Sequence, residues 1–392
     1  MTTDSKSPRR FISRVVQDLP KSGIRKFFDI VAGRKDVISL GIGEPDFAAP
    51  WHICEAALDS MESGATHYTA NLGTPKLRAA LADYMARSFH ATYDPKMEIL
   101  VSVGVSEAMD IALRAILEPG DEVLYHEPCF VAYAPIIKMA GGVPVAVPTC
   151  RANEFRLTVE ELEKRVTPKT KALLINYPNN PTGATLDAKD VEEIADFAVR
   201  HDLVLISDEV YSELTYDGER TSFASIPHLH DRLIFLNGFS KAWAMTGFHL
   251  GYVCAPAEMM DCIMKVHQYA IMSAPTPSQA AGYEALVNGD EDIRAMREEY
   301  RRRRNFIVAS FQEMGLDCFP PKGAFYVFPS IQNTGLTSND FAVRLLEEQN
   351  VACVPGTAFG ECGEGFLRCS YATGMEQLKE AMARIRRFLK TI

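Results

Sequence analysis

Between about residues 98 and 254 the chain alternates short apolar, β-branched runs with helical patterns, and four polar features fall just after such runs. No other feature constrains the fold as strongly. A strand–helix–strand repeat of this kind closes as a largely parallel sheet with helices laid on its faces. Residues 99–103 read as a strand, 106–117 as a helix, and 122–125 as the next strand after the Pro119-Gly120-Asp121 turn. Residues 143–147, 172–175, 203–206, 233–236 and 251–254 continue the series, which predicts an α/β sheet of about seven strands. After Asn288-Gly289-Asp290 the pattern changes to a long charged helix, short strands near 324–327 and 367–370, and a terminal helix over 376–389. A length of 392 residues leaves room for two cores. The expected division is a large domain over 50–288 and a smaller α+β domain built from 1–49 and 289–392.

Charge and cysteine usage narrow the functional classes. With 41 basic and 51 acidic residues the net charge is −10, so the overall field attracts neither nucleic acid nor an anionic membrane surface. The run Arg301-Arg302-Arg303-Arg304 follows Arg294, Glu298 and Glu299 and reads as a solvated helix face with paired charges. Nine cysteines without a CxxC pair predict no disulfide framework and no zinc site, and they suit a reduced, cytoplasmic setting. The N-terminus lacks a continuous apolar segment and no run of 18 apolar residues occurs, so neither secretion nor membrane insertion is expected.

In open α/β sheets ligands bind beyond the carboxyl ends of the strands. Four polar features fall just after strand-like runs and should converge on one edge: Gly104-Val105-Ser106, residues 176–180, Asp208 to Tyr211, and Ser240-Lys241. The first is a glycine turn into a helix start with Ser106 as N-cap, which aims amides and a helix dipole at an anion such as phosphate. In the third, Asp208-Glu209 follows an apolar strand, where a buried carboxylate needs a cationic partner such as a protonated heterocyclic nitrogen. The fourth is a lysine flanked by glycine and aromatics, a setting that lowers an amine's pKa and prepares it for imine formation. Each alone also reads as ordinary structure: a helix cap, a helix start, a surface lysine.

Taken together, the order and spelling of these segments resemble the class I and II aminotransferases of pyridoxal 5′-phosphate (PLP) fold type I over essentially the whole chain. The family's lysine stretch reads Ser240-Lys241-Ala242-Trp243-Ala244-Met245-Thr246-Gly247. Its other blocks read Asn180-Pro181-Thr182-Gly183, Asp208-Glu209-Val210-Tyr211, Gly43-Glu44-Pro45-Asp46-Phe47 and Arg368-Cys369-Ser370-Tyr371-Ala372. The resemblance implies that Lys241 carries PLP as a Schiff base and shuttles the substrate proton, and that Asp208 pairs with the pyridine nitrogen. It implies that Asn180 and Tyr211 hydrogen-bond the ring's phenolic oxygen. Phe130 aligns with the aromatic that stacks on the ring, although core packing reads equally well there. Phosphate falls to the Val105 and Ser106 amides and the Ser240 hydroxyl, joined by Tyr68 of a neighbouring subunit in a homodimer. Gly43, Asn180 and Arg368 fall to the substrate, with Arg368 binding the α-carboxylate.

One departure stands out. The family's Gly-Trp-Arg-x-Gly-Tyr is here Gly247-Phe248-His249-Leu250-Gly251-Tyr252, so a titratable imidazole stands where an arginine would meet the phosphate. Weaker and more pH-dependent cofactor retention is expected, unless the ring merely packs and other donors hold the phosphate. The implied activity is reversible transfer of an amino group from an L-amino acid to a 2-oxo acid such as 2-oxoglutarate. A PLP-dependent carbon–sulfur β-lyase is the nearest alternative, and a non-catalytic PLP-binding regulator a more distant one. The Ser22-Gly23-Ile24-Arg25-Lys26-Phe27 segment resembles a subgroup that includes aspartate, aromatic and N-acetyl-diaminopimelate aminotransferases, and aspartate or aromatic donors are favoured.

Overall fold

The computed structural model describes residues 7–20 and 36–392, so the 22–27 segment lies outside the described residues. The strands are β1 (Ile38–Ser39), β2 (Ile99–Ser102), β3 (Glu122–Glu127), β4 (Val143–Pro148), β5 (Thr170–Asn176) and β6 (Val204–Asp208). They continue with β7 (Leu233–Gly238), β8 (Gly251–Cys254), β9 (Tyr326–Val327), β10 (Val351–Ala352), β11 (Val354–Pro355) and β12 (Leu367–Ser370). A seven-stranded sheet runs in the order β2-β8-β7-β6-β5-β3-β4, and all its neighbours are parallel except β8, which is antiparallel to both β2 and β7.

Alternation along each strand explains why the runs are apolar on both faces. Ile99, Val101, Leu173, Ile175, Leu205, Leu233 and Phe235 enter one core, packed by the helices Pro75–Phe89, Ala188–Arg200 and Thr276–Asn288. Leu100, Ala172, Leu174, Ile206, Ile234 and Leu236 enter the opposite core with the helices Gly104–Ile116, Tyr133–Met139 and Ala257–Ala270. Each fully buried Leu, Ile or Phe stabilises this sandwich by roughly 1.5–3 kcal/mol. The helices start where local chemistry allows. Thr74 caps Leu77 N ahead of Pro75, and Asp187 and Asp190 close a reciprocal capping box.

A third core gathers Leu40, Met296, Tyr300, Ile307, Phe341, Leu345, Met382 and Phe388 around the helices Asp290–Glu313, Ser338–Gln349 and Met375–Phe388. It carries an antiparallel sheet of order β11-β12-β9, while β1 pairs in parallel with β10 and so draws residues 38–39 to the C-terminal part of the chain. Among the described residues no helix is long and apolar enough to cross a membrane.

Two expectations need correction. The four-arginine run is not one solvated face: Arg301 and Arg302 are exposed and pair with Glu298 and Glu299, but Arg303 and Arg304 are buried. Arg303 donates to both carboxylate oxygens of Asp46 and to Glu299, and Arg304 donates to Asp217 and to the Pro321 carbonyl. A helical period assigns charge outward and could not foresee acceptors far away in sequence. Asp46→Asn is expected to lower stability by about 1–3 kcal/mol, because it leaves a buried guanidinium short of charge. Arg301→Ala should change stability by less than about 0.5 kcal/mol. Thermal unfolding of the two variants checks the contrast.

The second correction concerns the helix after β2, which starts at Gly104 rather than at Ser106. Gly104 has φ +73, a left-handed conformation open to glycine, and Val103 occupies the cap position without a side-chain bond. The Val103 N–H is instead accepted by Glu107 Oε2 at 2.5 Å, so Ser106 lies inside the first turn.

Candidate active site

A cavity of about 680 Å³ opens at the carboxyl ends of the strands. It is lined by Gly104, Val105, Ser106, Asn176, Asn180, Asp208, Tyr211, Ser240 and Lys241, so the four features that follow strand-like runs do converge. Gly43, Phe130, His249 and Arg368 also line it. Tyr68 does not: it is 82% exposed on the surface.

Lys241 reaches the cavity because β7 ends at Gly238 and turns at once into the one-turn helix Phe239–Ala242. A Cβ on Gly238 would lie 3.0 Å from the Leu250 carbonyl and 2.9 Å from Val105 Cγ2, so only glycine fits this close crossing. Lys241 Nζ donates to the Gly43 carbonyl at 2.9 Å. Burial pulls its pKa down from 10.5 to about 8, opposed by the charges of Glu44 and Asp208 and reinforced by that of Arg368.

Asp208 closes β6 in register with Asn176 of β5, on the sheet face that Tyr133 packs against. Its Oδ2 accepts from the Tyr133 hydroxyl at 2.7 Å and its Oδ1 from the Val210 amide at 3.2 Å. Burial raises the Asp208 pKa to about 6, offset by these two bonds and by Lys241. The carboxylate is therefore ionised at neutral pH, but only just, and a cation placed against it would be strongly held. Glu209 turns away from the cavity and is satisfied by Ser207, Ser212, Ser222 and the Phe223 amide. Strand alternation thus separates two adjacent acids into one site group and one structural group.

Asn176 braces this edge, donating from Nδ2 to the Asp208 carbonyl at 2.9 Å and accepting the Asn180 amide at 3.1 Å. Asn180 Oδ1 accepts from Arg368 Nη1 at 3.0 Å, which leaves its Nδ2 to donate into the cavity. Arg368, on β12, is 2% exposed and lies between two rings, 4.7 Å from the Tyr326 centroid and 4.8 Å from that of Phe359. Its second amino group donates to the Gly41 carbonyl, and its Nε has no partner. Among the described residues no carboxylate neutralises this buried guanidinium, which makes it a receptor for an incoming anion.

At the other end of the cavity the amides of the first turn of Gly104–Ile116 have no acceptor within the helix. Ser240 and Thr246 line the cavity as well, and His249 stands against this turn. His249 Nδ1 donates to the Val103 carbonyl at 3.3 Å and abuts Gly104, where a Cβ would lie 2.8 Å from that nitrogen. Its Nε2 is therefore the atom left for a ligand. The phenol of Tyr211 meets that of Tyr326 at 2.9 Å. Phe130 also lines the cavity, its ring edge to face with that of Tyr133 at 5.8 Å.

The sequence reading passed over Tyr133 and Tyr326. Tyr133 stands three residues after Phe130, a spacing that puts both on one side of a turn. Tyr326 sits in the aromatic run Phe325-Tyr326-Val327-Phe328, which by itself signals only a buried strand.

The family model of aminotransferase class I and II matches residues 35–385. An aspartate aminotransferase of Pyrococcus abyssi is 51% identical over 372 residues, 94% of this chain and 96% of that protein. Aromatic-amino-acid aminotransferase 2 of Thermococcus litoralis is 48% identical over 372 residues, again 94% and 96% of the two chains. Among solved structures, an aromatic aminotransferase from Pyrococcus horikoshii superposes with a TM-score of 0.89 at 48% identity, covering 94% of this chain and 99% of that one.

Proposed function

The chain belongs to the class I and II aminotransferases, and we propose that it moves the amino group of an L-amino acid, aspartate or an aromatic one, to a 2-oxo acid such as 2-oxoglutarate. It has PLP fold type I, and its cofactor is pyridoxal 5′-phosphate. One observation carries the reading of the site: a lysine amine lowered to about 8 shares a cavity with a buried guanidinium that has no carboxylate partner. The first is a poised nucleophile and base; the second awaits a carboxylate. The donors named for its relatives support the choice of aspartate or aromatic substrates.

The residues fit the cofactor. A helix start with free amides and a hydroxyl suits a phosphate, a buried carboxylate suits a protonated ring nitrogen, and Phe130 suits a ring face. When bound, PLP supplies the electron sink that stabilises negative charge at the substrate Cα. Lys241 Nζ anchors the cofactor and, once displaced, takes and returns the proton at that carbon. Asp208, steadied by Tyr133 and the Val210 amide, keeps the proton on the ring nitrogen. Tyr211 and Asn180 Nδ2 donate to the phenolic oxygen. The Val105 and Ser106 amides, the Ser240 hydroxyl and His249 Nε2 hold the phosphate. Arg368 and Asn180 bind the substrate α-carboxylate beside Gly43, whose missing Cβ leaves room for the Tyr326 hydroxyl.

The same reading makes the enzyme a homodimer of two-domain subunits, divided at 49/50 and 288/289, with Tyr68 reaching the neighbouring cavity. Tyr68 is far too exposed to serve its own site. Asn71 donates to the Met272 carbonyl and Thr276 to the His67 carbonyl, bringing Tyr68 alongside exposed Tyr269, Ile271 and Met272. Such an apolar face suits a subunit contact.

The test is an absorbance spectrum of the PLP-loaded protein before and after adding single L-amino acids without acceptor. Loss of the visible band with aspartate or an aromatic amino acid, and its return with 2-oxoglutarate, is the expected result. Ammonia and a 2-oxo acid released without acceptor would replace this reading with a lyase. His249 adds a prediction. His249→Arg is expected to retain PLP roughly fivefold to tenfold better, since a guanidinium brings a permanent charge and several donors to the phosphate, whereas His249 already spends Nδ1–H on the Val103 carbonyl. Equal retention by both proteins in equilibrium dialysis would remove His249 from the phosphate site.

A further inference from the structure

Tyr326 is fully buried at the start of β9, yet its hydroxyl and ring both face the cavity groups. It lies opposite Ser370 in the β12–β9 pairing, so Arg368, two residues along β12, is its diagonal neighbour on the same sheet face. The guanidinium carbon of Arg368 stands 4.7 Å from the Tyr326 ring centroid. The Tyr326 hydroxyl is 2.9 Å from that of Tyr211, and a Cβ on Gly43 would fall 2.8 Å from it. It is therefore seated against the residue whose carbonyl accepts from Lys241. One side chain touches the phenol, the guanidinium and the backbone that holds the lysine.

We infer that Tyr326 is a positioning residue for the reaction, its hydroxyl donating to Tyr211 Oη and its ring holding the Arg368 guanidinium flat for a carboxylate. The inference rests on the roles proposed above for Tyr211 and Arg368. Each phenol has a single proton. If Tyr211 gives its proton to the phenolic oxygen of PLP, the bond between the two tyrosines can be made only with the Tyr326 proton. A hydroxyl that accepts one hydrogen bond becomes a stronger donor in the next. Burial raises the pKa of both phenols, so both stay protonated; the Tyr326 phenol pushes that of Tyr211 up further, and the Arg368 charge opposes the rise in each. The other charges facing the pair are Lys241, 5.9 Å from the Tyr211 ring, and Asp208.

The readout is the pH dependence of the visible band of PLP-loaded protein without substrate. A donor to the phenolic oxygen lowers the proton affinity of the lysine-linked nitrogen beside it. Weakening that donor must raise it. Tyr326→Phe is expected to raise this affinity about threefold to tenfold, the size of one modest hydrogen bond. Tyr211→Phe should raise it more, and the double variant Tyr211→Phe/Tyr326→Phe should go no further than Tyr211→Phe alone. Tyr326→Leu also removes the ring beneath Arg368, so KM for amino acid and oxo acid should rise roughly threefold to tenfold above that of Tyr326→Phe. A Tyr326→Phe titration identical to wild type, or one whose shift adds in full to that of Tyr211→Phe, overturns the inference. Equal KM values in Tyr326→Phe and Tyr326→Leu overturn its second half. A wild-type protein that shows no visible band with excess PLP overturns the reading of the site itself, and this inference falls with it.

Discussion

Lys241→Ala is expected to abolish transamination, by roughly 10⁴-fold or more, and to abolish the visible band of the PLP-loaded protein while leaving the fold intact. The size of the loss follows from the two tasks assigned to one nitrogen. With a pKa of about 8, close to one amine in ten is neutral at pH 7. At the ordinary value of an exposed lysine, about one in several thousand would be. Burial thus multiplies the reactive form by about two orders of magnitude, and alanine removes it altogether. No other group in the cavity replaces it. Asp208 is bound to Tyr133 and Val210, and His249 is tied by Nδ1 to Val103 at the phosphate end. The fold should survive because the lysine's burial is a cost, and among the described residues its hydrogen bond is to the Gly43 carbonyl, at the cavity wall. Thermal unfolding close to wild type, together with a flat visible spectrum and no product, is the expected combination. A variant that keeps more than about a hundredth of the activity would move the chemistry to another nitrogen.

The large sheet was readable in the sequence because its strands are buried on both faces. Runs such as Leu233-Ile234-Phe235-Leu236 are then continuously apolar, and the polar groups that follow four of the runs, near 104–106, 176–180, 208–211 and 240–241, mark the ligand edge. The helix ends were less readable. A serine at position 106 looks like a cap, but Gly104 takes up a left-handed turn and Glu107 satisfies the Val103 amide, so the helix begins two residues earlier. This displacement brings the Val105 amide into the first turn beside that of Ser106, where neither has an acceptor within the helix. Asp208 was distinguishable as a site residue only by motif. Which of Asp208 and Glu209 faces the cavity depends on strand phase, and which is already satisfied depends on three serines, one of them thirteen residues away. The partners Tyr133 and Tyr326 were hidden for the same reason. Tyr133 gains its role only where its helix meets the end of β6, and Tyr326 only where β9 lies beside β12 and reaches Tyr211.

Arg368→Lys is expected to lower kcat/KM about 10²- to 10³-fold for every α-carboxylate substrate, or ~3–4 kcal/mol of lost binding to the reacting complex. The charge survives this substitution; the fork and the stacked plane do not. Arg368 lies between the Tyr326 and Phe359 rings, with one amino group on Asn180 and the other on the Gly41 carbonyl. Two of its five N–H donors are used in this way, and Nε and the remaining N–H groups are left for a carboxylate. A lysine ammonium would leave the Asn180 and Gly41 oxygens competing for a single charge and would meet the carboxylate at one point. Because the charge is kept, the pH titration of the visible band should stay close to wild type in Arg368→Lys. In Arg368→Ala it should move to higher pH, since the Arg368 charge is one of the influences that lower the Lys241 pKa. The substrate dependence decides the assignment. A guanidinium that grips the α-carboxylate must penalise aspartate, phenylalanine and tyrosine by similar factors, because all share that group. If Arg368→Lys penalised aspartate tenfold more than phenylalanine, Arg368 would be reading the side-chain carboxylate, and the α-carboxylate would have to be held elsewhere in the cavity.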